Sequence, residues 1–378
     1  MIKNKKRILH FHTSGLMATK FVLPLIQMEN SEGYESIIIT SSAASKSIDN
    51  LSIPFDLNIK NLIFLPFSFI RLLTTINNYR PDVIISHNFK SSLLPLLAAK
   101  CMHIKTRIYF NHGIPFVAYS GLKRIFLSLL ERLNLYLATQ VVTVSLGMKG
   151  ILEGLKTKTP ISLIAHGSAC GLDLSMFNSK NFIKIEIQNK YGINDGDIVF
   201  TYIGRPEVRK GIQVMLRLWQ KYFSNNQGYK LILCGPTQKD VVSVLGSIPD
   251  NIFSLGFVDN VNEILYITKY LILPSFHEGL SYAALEGMAS GCVVIANAID
   301  GNKDLIKHGE NGYLIDNNDI HEYANLITTL EAESSEELIK IKINAITTSS
   351  LFSRDIFLQD YSNFLIKMLN MQTVKIFS

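Results

Sequence analysis

The chain has 378 residues, 47% of them apolar and 18% charged, with a net charge of +6. That length exceeds one ordinary core and implies two or three domains. The composition is globular, without a low-complexity tract or an internal repeat. The basic start Met1–Arg7 leads into a short apolar run broken by His10, His12, Thr13 and Ser14, which excludes a signal peptide or a spanning helix and makes the cytoplasm the expected location.

In chain order, short apolar runs alternate with segments of helical period, the pattern of parallel sheets wrapped by helices. The first half offers strands at Arg7–Phe11, Glu35–Thr40, Asp82–Ser86, Arg107–Phe110, Val141–Val144 and Ile161–Ile164. The second offers Ile198–Ile203, Lys230–Cys234, Ile252–Leu255, Tyr270–Leu273 and Val293–Ala296. A polar stretch from about Asn178 to Asp197 separates the sets and is the natural linker. The expected architecture is two doubly wound α/β domains, residues 1–177 and 178–355, facing across a cleft. A terminal helix, 356–378, would cross back to the first domain. Ligands on such folds lie beyond the carboxyl ends of the strands, so the loops there are where chemistry is sought. Residues 1–185 hold 21 basic and 9 acidic side chains, whereas 186–378 hold 16 and 22. The basic half therefore faces something anionic, and nucleic acid and acidic lipid both qualify on charge.

The most informative loop follows Leu273. Glu278 and Gly279 precede a helix starting near Ser281, whose amides form an anion site that Gly279 lets a phosphate approach. Glu278 would stand beside the phosphates, and Glu286 in the second turn could reach a ribose diol. An isolated Glu pair at this spacing is more often simply a loop Glu and a solvated Glu. After Ile203, Gly204 ends the strand, and Arg205 and Lys210 supply a planar fork and a point charge suited to a diphosphate. Alone, they also fit a basic surface turn. His112-Gly113 follows another strand, and Gly15 follows the first. There is no P-loop pattern and no GxGxxG fingerprint. The four cysteines, Cys101, Cys170, Cys234 and Cys292, show no metal spacing and read as reduced core residues. Asp195-Gly196-Asp197 resembles a metal-binding triplet but lies before a strand, and reads as a turn. No metal and no cofactor is expected.

Gly204-Arg205…Lys210-Gly211, Gly235-Pro236, Gly256-Phe257-Val258, Pro274-Ser275…Glu278-Gly279…Glu286-Gly287, Gly291–Ala296 and Gly309–Leu314 together resemble glycosyltransferase family 4, the retaining GT-B transferases. Gly15, His112-Gly113 and Gly171-Leu172-Asp173 extend the likeness more loosely into the first half. The resemblance implies a GT-B fold and transfer of a hexose or N-acetylhexosamine from a nucleotide diphosphate sugar, with UDP favoured. By position it implies Arg205 and Lys210 on the diphosphate, Glu278 on the donor sugar and Glu286 on the ribose. His112 would sit near the sugar, with Gly15, Gly204, Gly279, Leu280 and Ser281 lining phosphate and sugar. Glu278 is then an orienting residue rather than a nucleophile. The sequence departs from the family at Cys170, where Asn is usual, at Gly279-Leu280-Ser281, and at Asp304.

Gly121–Ala138 is amphipathic and basic, equally suited to core packing and to an anionic inner-leaflet surface. Related bacterial enzymes imply a lipid-linked or oligosaccharide acceptor in surface-polysaccharide synthesis, and hence peripheral membrane attachment. Two rivals remain: a nucleotide-sugar epimerase on the same framework, and a basic nucleic-acid-binding protein. No nucleic-acid module or aromatic-interleaved basic stripe supports the second, so nucleic acid is not an expected partner.

Overall fold

A computed structural model describes residues 5–40, 52–54 and 65–374 and divides the chain into two compact units. The first comprises Met1–Gly171 and Arg354–Ser378, the second Leu172–Ser353. Residues 1–4 of the basic start and 375–378 of the expected terminal helix lie outside the described residues.

The first unit holds a seven-stranded parallel sheet in the order β3-β2-β1-β4-β5-β6-β7. Its strands are β1 (Arg7–His12), β2 (Glu35–Thr40), β3 (Ser52–Pro54), β4 (Val83–His87), β5 (Thr106–Asn111), β6 (Gln140–Thr143) and β7 (Ile161–Ser162). Ile8, Leu9 and Phe11 of β1, Val83–Ile85 of β4 and Ile108–Phe110 of β5 are all buried. Such unbroken apolar runs belong to strands covered on both faces. The helix Arg354–Val374 belongs to this unit, and the Tyr361 hydroxyl donates to Glu29, on the helix Leu23–Ser31, at 2.6 Å.

The second unit holds a six-stranded parallel sheet in the order β10-β9-β8-β11-β12-β13. Its strands are β8 (Ile198–Ile203), β9 (Tyr229–Cys234), β10 (Ile252–Gly256), β11 (Tyr270–Leu273), β12 (Val293–Asn297) and β13 (Tyr313–Ile315). Its core gathers Trp219 edge-on to Phe200, with centroids 5.3 Å apart, beside Tyr202, Tyr270 and Tyr323. The indole N–H of Trp219 donates to Asn251 at 3.0 Å, which satisfies the one polar atom that ring buries.

In both sheets the chain winds outward from a central strand and then returns to its other side. The reversal falls between β1 and β4 in the first unit and between β8 and β11 in the second. At such a point the two connecting loops leave in opposite directions and open a crevice at the carboxyl ends.

The expected linker is folded. Within Asn178–Asp197 the helix Lys184–Tyr191 buries Ile187 and stops at Gly192 in the left-handed region, φ 66°. Ile187 and Ile193 anchor the stretch despite its polar composition. The units meet along the chain at Gly171/Leu172 and Ser353/Arg354, where the expected divisions were 177/178 and 355/356. The reason is local: the Leu172 amide donates to the Phe352 carbonyl at 2.8 Å, tying the chain's entry into the second unit to its exit. The strands β3 and β13, three residues each, are too short to show a period.

One buried acid bears on stability. Glu131, in the helix Gly121–Leu137, is fully buried; its Oε1 accepts from Asn111 at 2.8 Å, and its Oε2 has no hydrogen-bond partner among the described residues. Burial pushes its carboxyl up to about 8, so the folded chain keeps a proton that the unfolded chain loses above the usual 4.5. The unfolded state then binds fewer protons between those values, and stability falls as pH rises through that window, by on the order of a few kcal/mol. Glu131→Gln, which mimics the protonated acid, is expected to gain stability over the wild type as pH goes from about 5 to about 8. Urea unfolding at both pH values checks this, and a constant difference between the two proteins would contradict it.

Candidate active site

The loops after β8 and β11 bring two of the expected residues together in the second unit. The Lys210 ammonium lies 2.5 Å from Oε1 of Glu278, which also accepts from the Ser275 hydroxyl at 2.9 Å. The two charged side chains are only 20% and 10% exposed, so the pair is sheltered and more than a surface contact. Lys210 ends a short 3-10 turn, Val208–Lys210, whose carbonyl side is held by Tyr202: its hydroxyl donates to the Lys210 carbonyl at 3.1 Å. The Phe276 amide donates to Arg209 at 2.8 Å, so the two loops are also joined through backbone.

Glycines make this approach possible. Gly211, at φ 73°, lies so close to the Pro274 carbonyl that a Cβ there would overlap it. Gly235, at φ 115°, stands in the same relation to the Gly204 carbonyl, and Gly204 donates to Cys234 at 3.0 Å. A Cβ on Gly301 would come within 2.7 Å of the Glu278 carbonyl and 2.9 Å of that of Gly279. Behind this loop, Asn297 donates to the Ser275 carbonyl at 3.1 Å and Asn302 to the Asn297 carbonyl at 2.8 Å. Gly301, Asn297 and Asn302 thus support Glu278, a role that no pattern in the sequence marks directly. The signal was the glycine itself, in a loop following a buried strand.

The helix after Glu278 is Tyr282–Ala289, capped by the Ser281 hydroxyl, which accepts from the Ala284 amide at 3.3 Å. Leu280, Ser281 and Glu286 are buried, and Gly279 is half-buried. Glu286 faces Cys234 closely enough to add to the burial that pushes that thiol up to about 12. Arg205 is not drawn into the cluster. Its guanidinium is 64% exposed and pairs with Glu207 at 2.8 Å, which Arg209 also engages at 2.7 Å. Asp195-Gly196-Asp197 forms a turn, with the Asp197 carboxylate accepting from the Asn194 amide at 2.7 Å.

His112 and Gly15 belong to the first unit, and there His12 connects them. The Ser14 amide donates to Nδ1 of His12 at 3.0 Å, Ser14 caps the helix that begins at Gly15, and the His12 and His112 rings stand 6.5 Å apart, edge to face. His12, His87 and His112 lie at the carboxyl ends of the adjacent strands β1, β4 and β5. Only His112 was picked out from the sequence, although a buried apolar run ending in His followed by a polar residue or glycine occurs at all three. Burial depresses all three rings: His12 to about 4, His112 to about 3, and His87 well below its ordinary value, with the neighbouring imidazoles adding to it. Cys170 is buried, its thiol 3.5 Å from the carbonyls of Lys20 and Gly171.

Residues 18–168 match Glycosyltransferase Family 4, and residues 183–348 match Glycosyl transferases group 1. The chain belongs to glycosyltransferase family 4. This glycosyltransferase is similar to the Staphylococcus aureus capsular polysaccharide biosynthesis glycosyltransferase CapM, 24% identical over 285 residues, covering 71% of this chain and 72% of CapM. It is also 24% identical over 274 residues to the Escherichia coli UDP-Gal:alpha-D-GlcNAc-diphosphoundecaprenol alpha-1,3-galactosyltransferase, covering 69% of each chain. Among solved structures, Anabaena HepE in complex with UDP-glucose matches with a TM-score of 0.78 at 18% identity, over 96% of this chain and 99% of that one. The transferase thus has the GT-B fold.

Gly211→Ala is expected to destabilise the second unit, because the Cβ strikes backbone that leads directly into Glu278. The loss should be about 1–3 kcal/mol for the overlap, beyond any strain from the positive φ. Gly246→Ala, at φ 81° with nothing within 4 Å of its Cβ, is the control for φ alone. Equal melting temperatures for the two variants would remove the close approach from the account.

Proposed function

We propose that this enzyme is a retaining transferase that moves a hexose or N-acetylhexosamine from a UDP-sugar to a lipid-linked sugar acceptor in bacterial cell-surface polysaccharide synthesis. The observation that carries the reading is the sheltered Lys210–Glu278 pair at the switch point of the second sheet. Lys210 is the cation that meets the donor diphosphate and stabilises the charge growing on it as the glycosidic bond breaks. Glu278 accepts hydrogen bonds from donor-sugar hydroxyls, with Ser275 and Lys210 fixing its carboxylate. Both of those groups donate to Oε1, which suits an orienting acceptor and leaves the nucleophile's role to the acceptor hydroxyl. Arg205 reaches the diphosphate by exchanging Glu207 for it, a small cost for an exposed pair. Glu286 binds the ribose, His112 lies near the sugar, and Gly15 near phosphate and sugar.

UDP as donor is supported by what the relatives are named for, one using UDP-Gal and another being bound to UDP-glucose. A lipid-linked acceptor and surface polysaccharide are supported likewise, by the diphosphoundecaprenol substrate of the galactosyltransferase and the capsular role of CapM. Membrane attachment at the inner leaflet is supported by the helix Gly121–Leu137. Its Leu122 is 86% exposed and Phe126 60%, with Ile125, Leu129 and Tyr136 also outward, beside Lys123 and Arg124. An outward apolar stripe flanked by cations suits an anionic bilayer surface. No helix of the described residues is long and apolar enough to cross a membrane.

A melting-temperature panel of UDP, GDP and ADP with their sugar conjugates tests the site. UDP and one UDP-sugar should stabilise the protein, and Lys210→Ala should weaken UDP more than uridine. Equal losses for nucleotide and nucleoside would mean that Lys210 does not touch phosphate. Glu278→Ala should cut turnover by roughly a hundredfold or more while UDP still binds; unchanged turnover would take Glu278 out of the site. For the membrane, sedimentation with vesicles containing anionic lipid should fall several-fold in the Leu122→Ser/Phe126→Ser variant, and persistence of binding would point away from this helix.

A further inference from the structure

A continuous file of polar side chains runs from His112 into the core of the first unit. Nε2 of His112 lies 3.0 Å from Nδ1 of His87, and Nε2 of His87 lies 3.0 Å from Nδ1 of His10. Nε2 of His10 then lies 2.9 Å and 3.2 Å from the two oxygens of Glu29, and the Tyr361 hydroxyl donates to the same carboxylate at 2.6 Å. His10, His87 and Glu29 are fully buried, and Tyr361 nearly so, whereas His112 is half-buried at the outer end. Among the described residues Nδ1 of His112 has no hydrogen-bond partner.

The direction of every link follows from the inner end. Glu29 accepts from the Tyr361 hydroxyl and offers His10 two acceptor oxygens, so Nε2 of His10 carries a hydrogen. With the rings neutral, Nδ1 of His10 accepts from Nε2–H of His87, and Nδ1 of His87 accepts from Nε2–H of His112. Nδ1 of His112 is left with its lone pair facing outward from the chain of bonds. Burial and the neighbouring rings hold His87 and His112 on the neutral side. Were one proton added at that nitrogen, an N–H would form at Nδ1 and break at Nε2 in both His112 and His87. The last N–H would form at Nδ1 of His10, whose Nε2–H stays on Glu29. A chain of this kind is satisfied only as a whole, since deleting any member orphans its neighbours.

We propose that Glu29, acting through His10 and His87, dictates the tautomer of His112, so that its Nδ1 accepts a hydrogen bond from a hydroxyl of the bound sugar. His10, His87 and Glu29 are positioning residues, and the second half of the inference rests on the reading of His112 as a sugar-contacting group. Tyr361 draws the terminal helix into the same device by fixing the carboxylate that sets the direction.

The test is a proton–nitrogen correlation spectrum of the full chain, with histidine labelled at its ring nitrogens, recorded at neutral pH and assigned with His112→Gln. The wild type should show His112 as a single tautomer, protonated at Nε2 and bare at Nδ1. His87→Phe keeps a flat ring in the stack but breaks the chain, and His112 should become a mixture of tautomers. Glu29→Gln offers either a donor or an acceptor to His10 and should release the same mixture from three rings away, with its melting temperature recorded to confirm a folded protein. A wild-type His112 protonated at Nδ1, or an unchanged tautomer in both variants, would overturn the relay. With a UDP-sugar as donor, Glu29→Gln should lower kcat/KM roughly tenfold, the scale of one lost hydrogen bond, and His112→Gln by a similar factor. A changed tautomer with unchanged kinetics would uphold the relay and overturn the sugar contact instead.

Discussion

The second unit is organised around one electrostatic contact, the Lys210 ammonium against the Glu278 carboxylate. These side chains are 68 residues apart and meet because β8 and β11 are neighbours at the point where the sheet reverses. Two opposite charges sheltered from water stabilise one another only if the backbone delivers them accurately. That accuracy comes from Gly211 against Pro274, Gly301 against Glu278, and the amides of Asn297 and Asn302 behind the loop. The apolar core beneath, from Trp219 to Tyr270, fixes the strands from which these loops depart.

The first unit solves a similar problem with different chemistry. Its reversal lies between β1 and β4, and the side chains that gather there are imidazoles rather than a salt bridge. Neutral rings linked nitrogen to nitrogen can cross an apolar interior without the desolvation cost of bare charges, provided each donor finds an acceptor. The single carboxylate in the file, Glu29, is satisfied by His10 and Tyr361. The terminal helix therefore does more than cover the sheet, since it supplies one of the two donors that keep that carboxylate in place.

Exposure separates two kinds of apolar residue in this chain. In most helices the apolar stripe is buried, whereas Gly121–Leu137 turns Leu122, Ile125 and Phe126 outward while burying Glu131 and Asn134. Leu135 and Leu137 at the end of the helix are buried in the usual way, so it is only over the first part, with Leu122, Ile125, Phe126 and Leu129 outward, that the order is reversed and the core-packing reading weakened.

The sequence by itself determined the parallel α/β class, eleven of the thirteen strands among the described residues to within a residue or two at most ends, and the loops in which Glu278, Lys210, Ser281 and His112 stand. It could do so because apolar runs, glycines and helix caps are local signals, readable within a few residues. The three-residue strands escaped because they are too short for a period, and the stretch 178–197 was mistaken for a linker because two buried isoleucines do not show in a polar composition. Only the tertiary structure decided that Lys210 touches Glu278 while Arg205 is held by Glu207, and that His10, His87 and Glu29 stand in file behind His112. Strand order is set by packing between residues far apart in the chain, and no local pattern records which strand will lie beside which.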